Sequence, residues 1–208
     1  MATPAGIDPA TRYNSVARAF HAVIAVLIIG SIAGGLLNDS LPKAWNVITL
    51  HKSMGLLILL LSIGRVAWRF TWKTPPYRPP LKRYDLMLAK TVHGIFYGLI
   101  LIMPLTGWIF SSAGKYGAAF FGIPMSLPIT KANPIAGIAA EAHEILGYAF
   151  AALVVIHIAA ALRHHFLLKD GVLRRMWCTI PNARRLSSRS VKSTIARSTP
   201  TPGSIRLG

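Results

Sequence analysis

Four stretches of this chain are apolar for longer than a soluble core needs: residues 16–37, 45–70, 86–112 and 138–168. A bilayer core about 30 Å thick is crossed by about 20 apolar residues as a helix. Inside lipid every backbone polar group must be satisfied within the protein, which leaves only helices or closed barrels. The apolar runs are continuous, not alternating, so they read as helices. The expected fold is therefore all-α, an integral membrane four-helix bundle. Pro104 lies inside the third run, removes one backbone donor and predicts a kink there. The first run is too long for a signal peptide's apolar core and has no clear small-residue cleavage site, so it reads as a retained span.

Composition decides what surrounds these spans. The 208 residues are 53% hydrophobic and only 14% charged, yet the net charge is +17. A nucleic-acid binder would interleave its basic residues with polar surface. Here they are gathered at the ends of the spans, so no nucleic-acid partner is expected and the membrane lipid is. Of the 23 Lys+Arg residues, all but Lys43, Lys52, Lys115 and Lys131 fall on the side that holds both termini and the connection 71–85. By the positive-inside rule both termini are cytoplasmic. The chain then divides into a cytoplasmic segment 1–15, a four-helix transmembrane domain 16–170 and a basic tail 171–208. The tail is rich in Ser, Thr and Arg and lacks apolar periodicity, so disorder is expected. The Pro-rich connection 71–85 should run extended over the cytoplasmic face, and the outer connection 113–137 has the composition of a small cap. A lone cysteine, Cys178, rules out an internal disulfide, a CxxC metal site and covalent haem attachment.

Histidine is costly in hydrocarbon, and intramembrane ionisable groups mark function. With the topology above, His51 and His143 start their spans at the outer side. His21 and His157 lie toward the inner side. His143 and His157 are fourteen residues apart, roughly 21 Å of rise and 40° short of four full turns. One helix thus points two imidazoles the same way at two depths. Each depth pairs two histidines from different helices, His51 with His143 and His21 with His157. Zinc needs three or four protein ligands. Two imidazoles instead complete iron whose other four bonds come from a porphyrin, and such sites are built in bundle cores. The pattern therefore predicts two haem b groups, with His21, His51, His143 and His157 as axial ligands to iron. Small residues one turn on from each candidate, Ala25, Gly55, Gly147 and Ala161, leave room for a macrocycle.

The other polar residues keep two readings each. His93 is structural or pairs with a haem propionate. His164 and His165 anchor the helix end at the interface, or serve a quinone and its protons near the inner haem. Arg65 and Arg69 pair with propionates or lipid phosphate. Lys52, Lys115 and Lys131 attract a small anion to the outer mouth, or are ordinary solvated charge.

The segments RYNSVARAFHAVIAVLI, ITLHKSMGLLILLLSIGRVAWRF, TPPYRPP, VHGIFYGLILIMPLTGW, EAHEILGY and IHIAAALRHHFLLKDGVLRRM together resemble bacterial cytochrome b561 over roughly residues 11–177. The resemblance implies a dihaem cytochrome of the bacterial inner membrane, with His21 and His157 on one haem and His51 and His143 on the other. It also implies superoxide oxidation at the periplasmic face and ubiquinone as electron acceptor. Lys52 and Lys115 would draw the anion, and His164 would serve the quinone. The alternative it carries is an anchor cytochrome b that passes electrons between a hydrogenase or formate dehydrogenase partner subunit and the quinone pool. A haem-free bundle is the third reading. The chain departs from the usual pattern at Ala22 and in its long basic tail.

Overall fold

The computed structural model describes residues 13–72, 83–170 and 172–176, all within one compact unit, Met1–Trp177. The segment 1–12, most of the Pro-rich connection and the tail, with Cys178, lie outside the described residues. Four long helices dominate: α1 Ser15–Leu37, α2 Val47–Thr71, α3 Arg83–Ser112 and α4 Pro134–Arg163. All four are long and apolar enough to cross a membrane.

The helix starts follow from local chemistry. The Asn14 side chain accepts from the Ala17 amide at 2.7 Å and caps α1. Asn133 accepts from the Ile135 amide at 3.1 Å, and Pro134 opens α4 where its missing N–H costs nothing. These two residues start α4 a turn before the apolar run at 138, because a cap is polar and a hydropathy reading passes over it. Asn46, at φ 47°, turns the chain out of a short 3-10 turn, Lys43–Trp45, into α2. Pro104 is buried inside α3, which continues through it as one helix. α4 is extended by a π-helical turn, His164–Leu168, that stops at Lys169 with φ 52°.

Consecutive helices pack on one another, α1 on α2, α2 on α3 and α3 on α4. The burial pattern is that of a membrane bundle. Val26 is 71% exposed and Phe70 85%, while Ser62 is 0% exposed. Apolar side chains face outward to lipid, and small polar ones sit where backbones approach. The interior apolar cluster is Ile24, Ile28, Ile58, Ile100 and Phe150, with every helix contributing. On α4, Phe150 falls midway between His143 and His157, so this cluster forms a layer at mid-height.

One feature adds to the all-α expectation. Between α3 and α4 two short antiparallel strands, β1 Ala119–Phe120 and β2 Ile123–Pro124, form a hairpin. Its two-residue turn, Phe121 and Gly122, has positive φ at both positions, the backbone that matches strand twist. The hairpin and its flanks make a cap. Ser53 of α2 donates to the Ala119 carbonyl at 3.3 Å and accepts from the Phe121 amide at 3.0 Å. Ser111 donates to the Gly117 carbonyl at 3.1 Å, and Ser112 accepts from the Leu127 amide at 3.0 Å.

Candidate functional site

The cap end of the bundle holds His51 and His143. Their ring centres are 6.0 Å apart and their planes nearly perpendicular, at 89°. Each ring is oriented from a neighbouring helix. His51 Nδ1 donates to the Ser31 carbonyl of α1 at 2.9 Å, with Ser31 Oγ at 3.1 Å. His143 Nδ1 donates to the Met103 carbonyl of α3 at 3.1 Å, with Thr106 Oγ1 at 3.3 Å. A carbonyl can only accept, so Nδ1 carries the proton in both rings. Nε2 keeps its lone pair in each. This is how metal-bound histidines are commonly held.

Two glycines seat these rings. A Cβ on Gly107 would lie 2.8 Å from His143 Cε1, and one on Gly35 would lie 3.2 Å from His51 Cε1. A cavity of about 730 Å³ opens around the pair, lined also by Gly55, Gly147, Lys52 and Trp108. The mid-height residues Ile28, Ile58, Ile100 and Phe150 form its floor. Nothing lies within 4 Å of where a Gly55 Cβ would stand. The volume falls within the roughly 300–1,000 Å³ of small-molecule and cofactor sites. Two imidazole nitrogens each about 2 Å from one metal put their ring centres roughly 6 Å apart. The donors, their separation and the cavity all fit haem held between His51 and His143.

At the other end His21 of α1 has Arg65, His157 and His93 as its charged and titratable neighbours. His157 faces α3, with His93 at 6.0 Å and Phe96 at 5.0 Å between ring centres. The spacing expectation pairs His21 with His157; the structure makes them electrostatic neighbours and adds His93 beside both. His93 is exposed, whereas His21, His51, His143 and His157 are all half-buried. Arg65 turns inward, over the Tyr97 ring at 5.6 Å. Beside His21 its guanidinium is placed to pair with an anionic group.

Lys52 reaches the cavity and is tied to the cap, donating to the Gly117 carbonyl at 3.0 Å. Lys115 does not line the cavity; it is exposed, and its ammonium stands over the Tyr116 ring at 5.3 Å. Its position on the cap, not its charge, separates it from Lys52. His164 lies at the far end of α4, where its Nδ1 donates to Asp170 Oδ2 at 2.5 Å; Asp170 Oδ1 accepts from the Val172 amide. Spacing alone does not point to that partner, because the contact depends on the π-helical turn and the left-handed Lys169 that fold the chain back. His165 packs on its neighbour Phe166. Gly35, Gly107, Glu141 and Glu144 also line the cavity and were missed. The two glutamates flank His143 in the run EAHE, which was a usable signal. The glycines act across helices, and one-dimensional spacing does not show that.

Four apolar spans with imidazoles brought together at both ends of their interior define a membrane-embedded b-type cytochrome. The chain belongs to the prokaryotic cytochrome b561 family, which it matches over residues 12–178. It is 31% identical to cytochrome b561 homolog 2 of Escherichia coli K12 over 170 residues, covering 79% of this chain and 90% of that protein. It is 24% identical to cytochrome b561 homolog 1 of the same organism, covering 79% and 96%. It is 25% identical to the probable superoxide oxidase CybB of Yersinia pestis, covering 79% and 95%. The family and the four spans together make it a multi-pass membrane protein that works in electron transport with haem.

Proposed function

We propose that the protein is a superoxide:ubiquinone oxidoreductase of the bacterial inner membrane. Both termini would be cytoplasmic and the cap periplasmic. It would hold two haem b groups, one between His51 and His143 under the cap and one between His21 and His157 toward the cytoplasm. The observation that carries this reading is the cap-end pair, with both Nδ1 protons tied to backbone carbonyls and both Nε2 lone pairs free beside a cofactor-sized cavity. The relative named as a probable superoxide oxidase supports the choice of substrate.

His51 with His143, and His21 with His157, would hold the haem, which would supply one-electron transfer. The chain's own residues do the rest. Two superoxide ions each lose one electron and leave as dioxygen, and ubiquinone gains two electrons and two protons. Lys52, at the cavity and near the surface, draws the anion. Arg65 balances carboxylate charge beside His21. His164, oriented by Asp170, passes protons to quinone at the cytoplasmic end. The domain 16–170 carries all of this, between the terminal segment 1–15 and the tail 171–208.

The test is ubiquinone reduction by purified, haem-loaded protein in liposomes supplied with enzymatically generated superoxide. Quinol formation that is abolished by superoxide dismutase is expected. Haem that is reduced only by a co-purifying periplasmic metalloprotein would instead place the chain as that partner's anchor.

A further inference from the structure

The two ends of the bundle orient their histidines by different means. His51 and His143 are each held by a hydrogen bond from Nδ1 to a carbonyl of another helix. His157 makes no such bond among the described residues. Its ring meets two rings of α3 in T-shaped contact, His93 at 6.0 Å and 85° and Phe96 at 5.0 Å and 64°. Residues 93 and 96 are three apart, so they lie on one face of α3 one turn apart. Both rings are themselves fixed. His93 Nδ1 donates to the Ala89 carbonyl of its own helix at 2.5 Å, and Phe96 packs edge-on against the buried Phe150 at 5.8 Å.

We infer that His93 and Phe96 are positioning residues that set the plane of the His157 imidazole. This rests on the reading of His157 as an axial ligand. The separation of His93 from His157 equals that of the cap-end pair, so His93 must be weighed as a ligand itself. Phe96 decides against it. A macrocycle between His93 and His157 would have to occupy the side of His157 that the Phe96 ring already fills. The exposure of His93, against the half-burial of the four ligand candidates, agrees. Edge-to-face contact between rings is directional. That is enough to favour one ring orientation where no hydrogen bond fixes it. The orientation of an axial imidazole governs the spectrum and potential of its iron, so α3 tunes a haem to which it contributes no ligand.

The test uses purified, haem-loaded protein and reads haem content, the low-spin electron paramagnetic resonance signals and both midpoint potentials. His93→Ala is expected to keep two haems, to shift the signal and potential of the inner haem and to leave those of the outer haem unmoved. His93→Phe, which restores a ring edge, should return both toward wild type. Phe96→Leu should shift the same inner signal and is read in the same way if His93→Ala does not fold. Loss of one haem in both His93→Ala and His93→Phe would make His93 a ligand and overturn the inference. An inner signal unmoved in His93→Ala and Phe96→Leu would also overturn it. His157→Ala tests the underlying reading separately: retention of both haems there would remove the ligand assignment itself.

Discussion

At the scale of single residues the half-buried His21, His51, His143 and His157 are the candidates to test, because imidazole in an apolar span has few bland uses. His51→Ala and His21→Ala are each expected to remove one haem and leave the other, read from reduced-minus-oxidised spectra and haem content; loss of neither would refute the pairing. What was not legible is the seating of the rings. Gly107 and Gly35 sit on helices that carry no candidate ligand at that level, and only packing brings them against His143 and His51. Gly107→Ala should therefore push the His143 ring aside, since its Cβ would stand 2.8 Å from Cε1. Overpacking of this kind costs about 1–3 kcal/mol. The expected outcome is weakened binding or an altered spectrum of the cap-end haem alone. A wild-type spectrum in Gly107→Ala would show that the ring does not rest there.

Elements were read well where hydropathy is uniform and poorly where structure depends on one polar atom. The spans were set by long apolar runs, and their ends differ from the structure by a few residues because caps such as Asn133 are polar. The hairpin was invisible, with strands of two residues each and a turn whose positive-φ Phe121 is atypical. Ser53 shows why it holds. This serine, 1% exposed, shares its one hydroxyl proton between the Ala119 carbonyl of the cap and the Thr49 carbonyl of α2, and accepts from the Phe121 amide. Replacing it by alanine would strand the Phe121 amide, at a cost of about 1–3 kcal/mol. Ser53→Ala is thus expected to make the 113–133 segment more readily cut by added protease in cap-out liposomes. Unchanged cleavage would mean that the other cap bonds suffice.

For the whole molecule the distribution of charge matters more than any one pair. Among the described residues Lys43, Lys52, Lys115 and Lys131 are the cations at the cap end, so that end relies on few of them. Lys52→Gln should lower the superoxide-driven rate and flatten its dependence on salt, whereas Lys115→Gln, outside the cavity, should change the rate little. Equal effects would mean that anions are gathered by overall field and not by the cavity mouth. The cap also bears on how the protein is made. It leaves α3, fastens to Lys52 and Ser53 of α2, and returns as α4. A chain emerging from the ribosome has its first three spans in the membrane before this clasp exists. Docking of the cap is therefore a late step of assembly that ties the α3–α4 connection back to α2, and pulse-chase is expected to show the Ser53→Ala chain cleared faster while it is being made than once it is assembled.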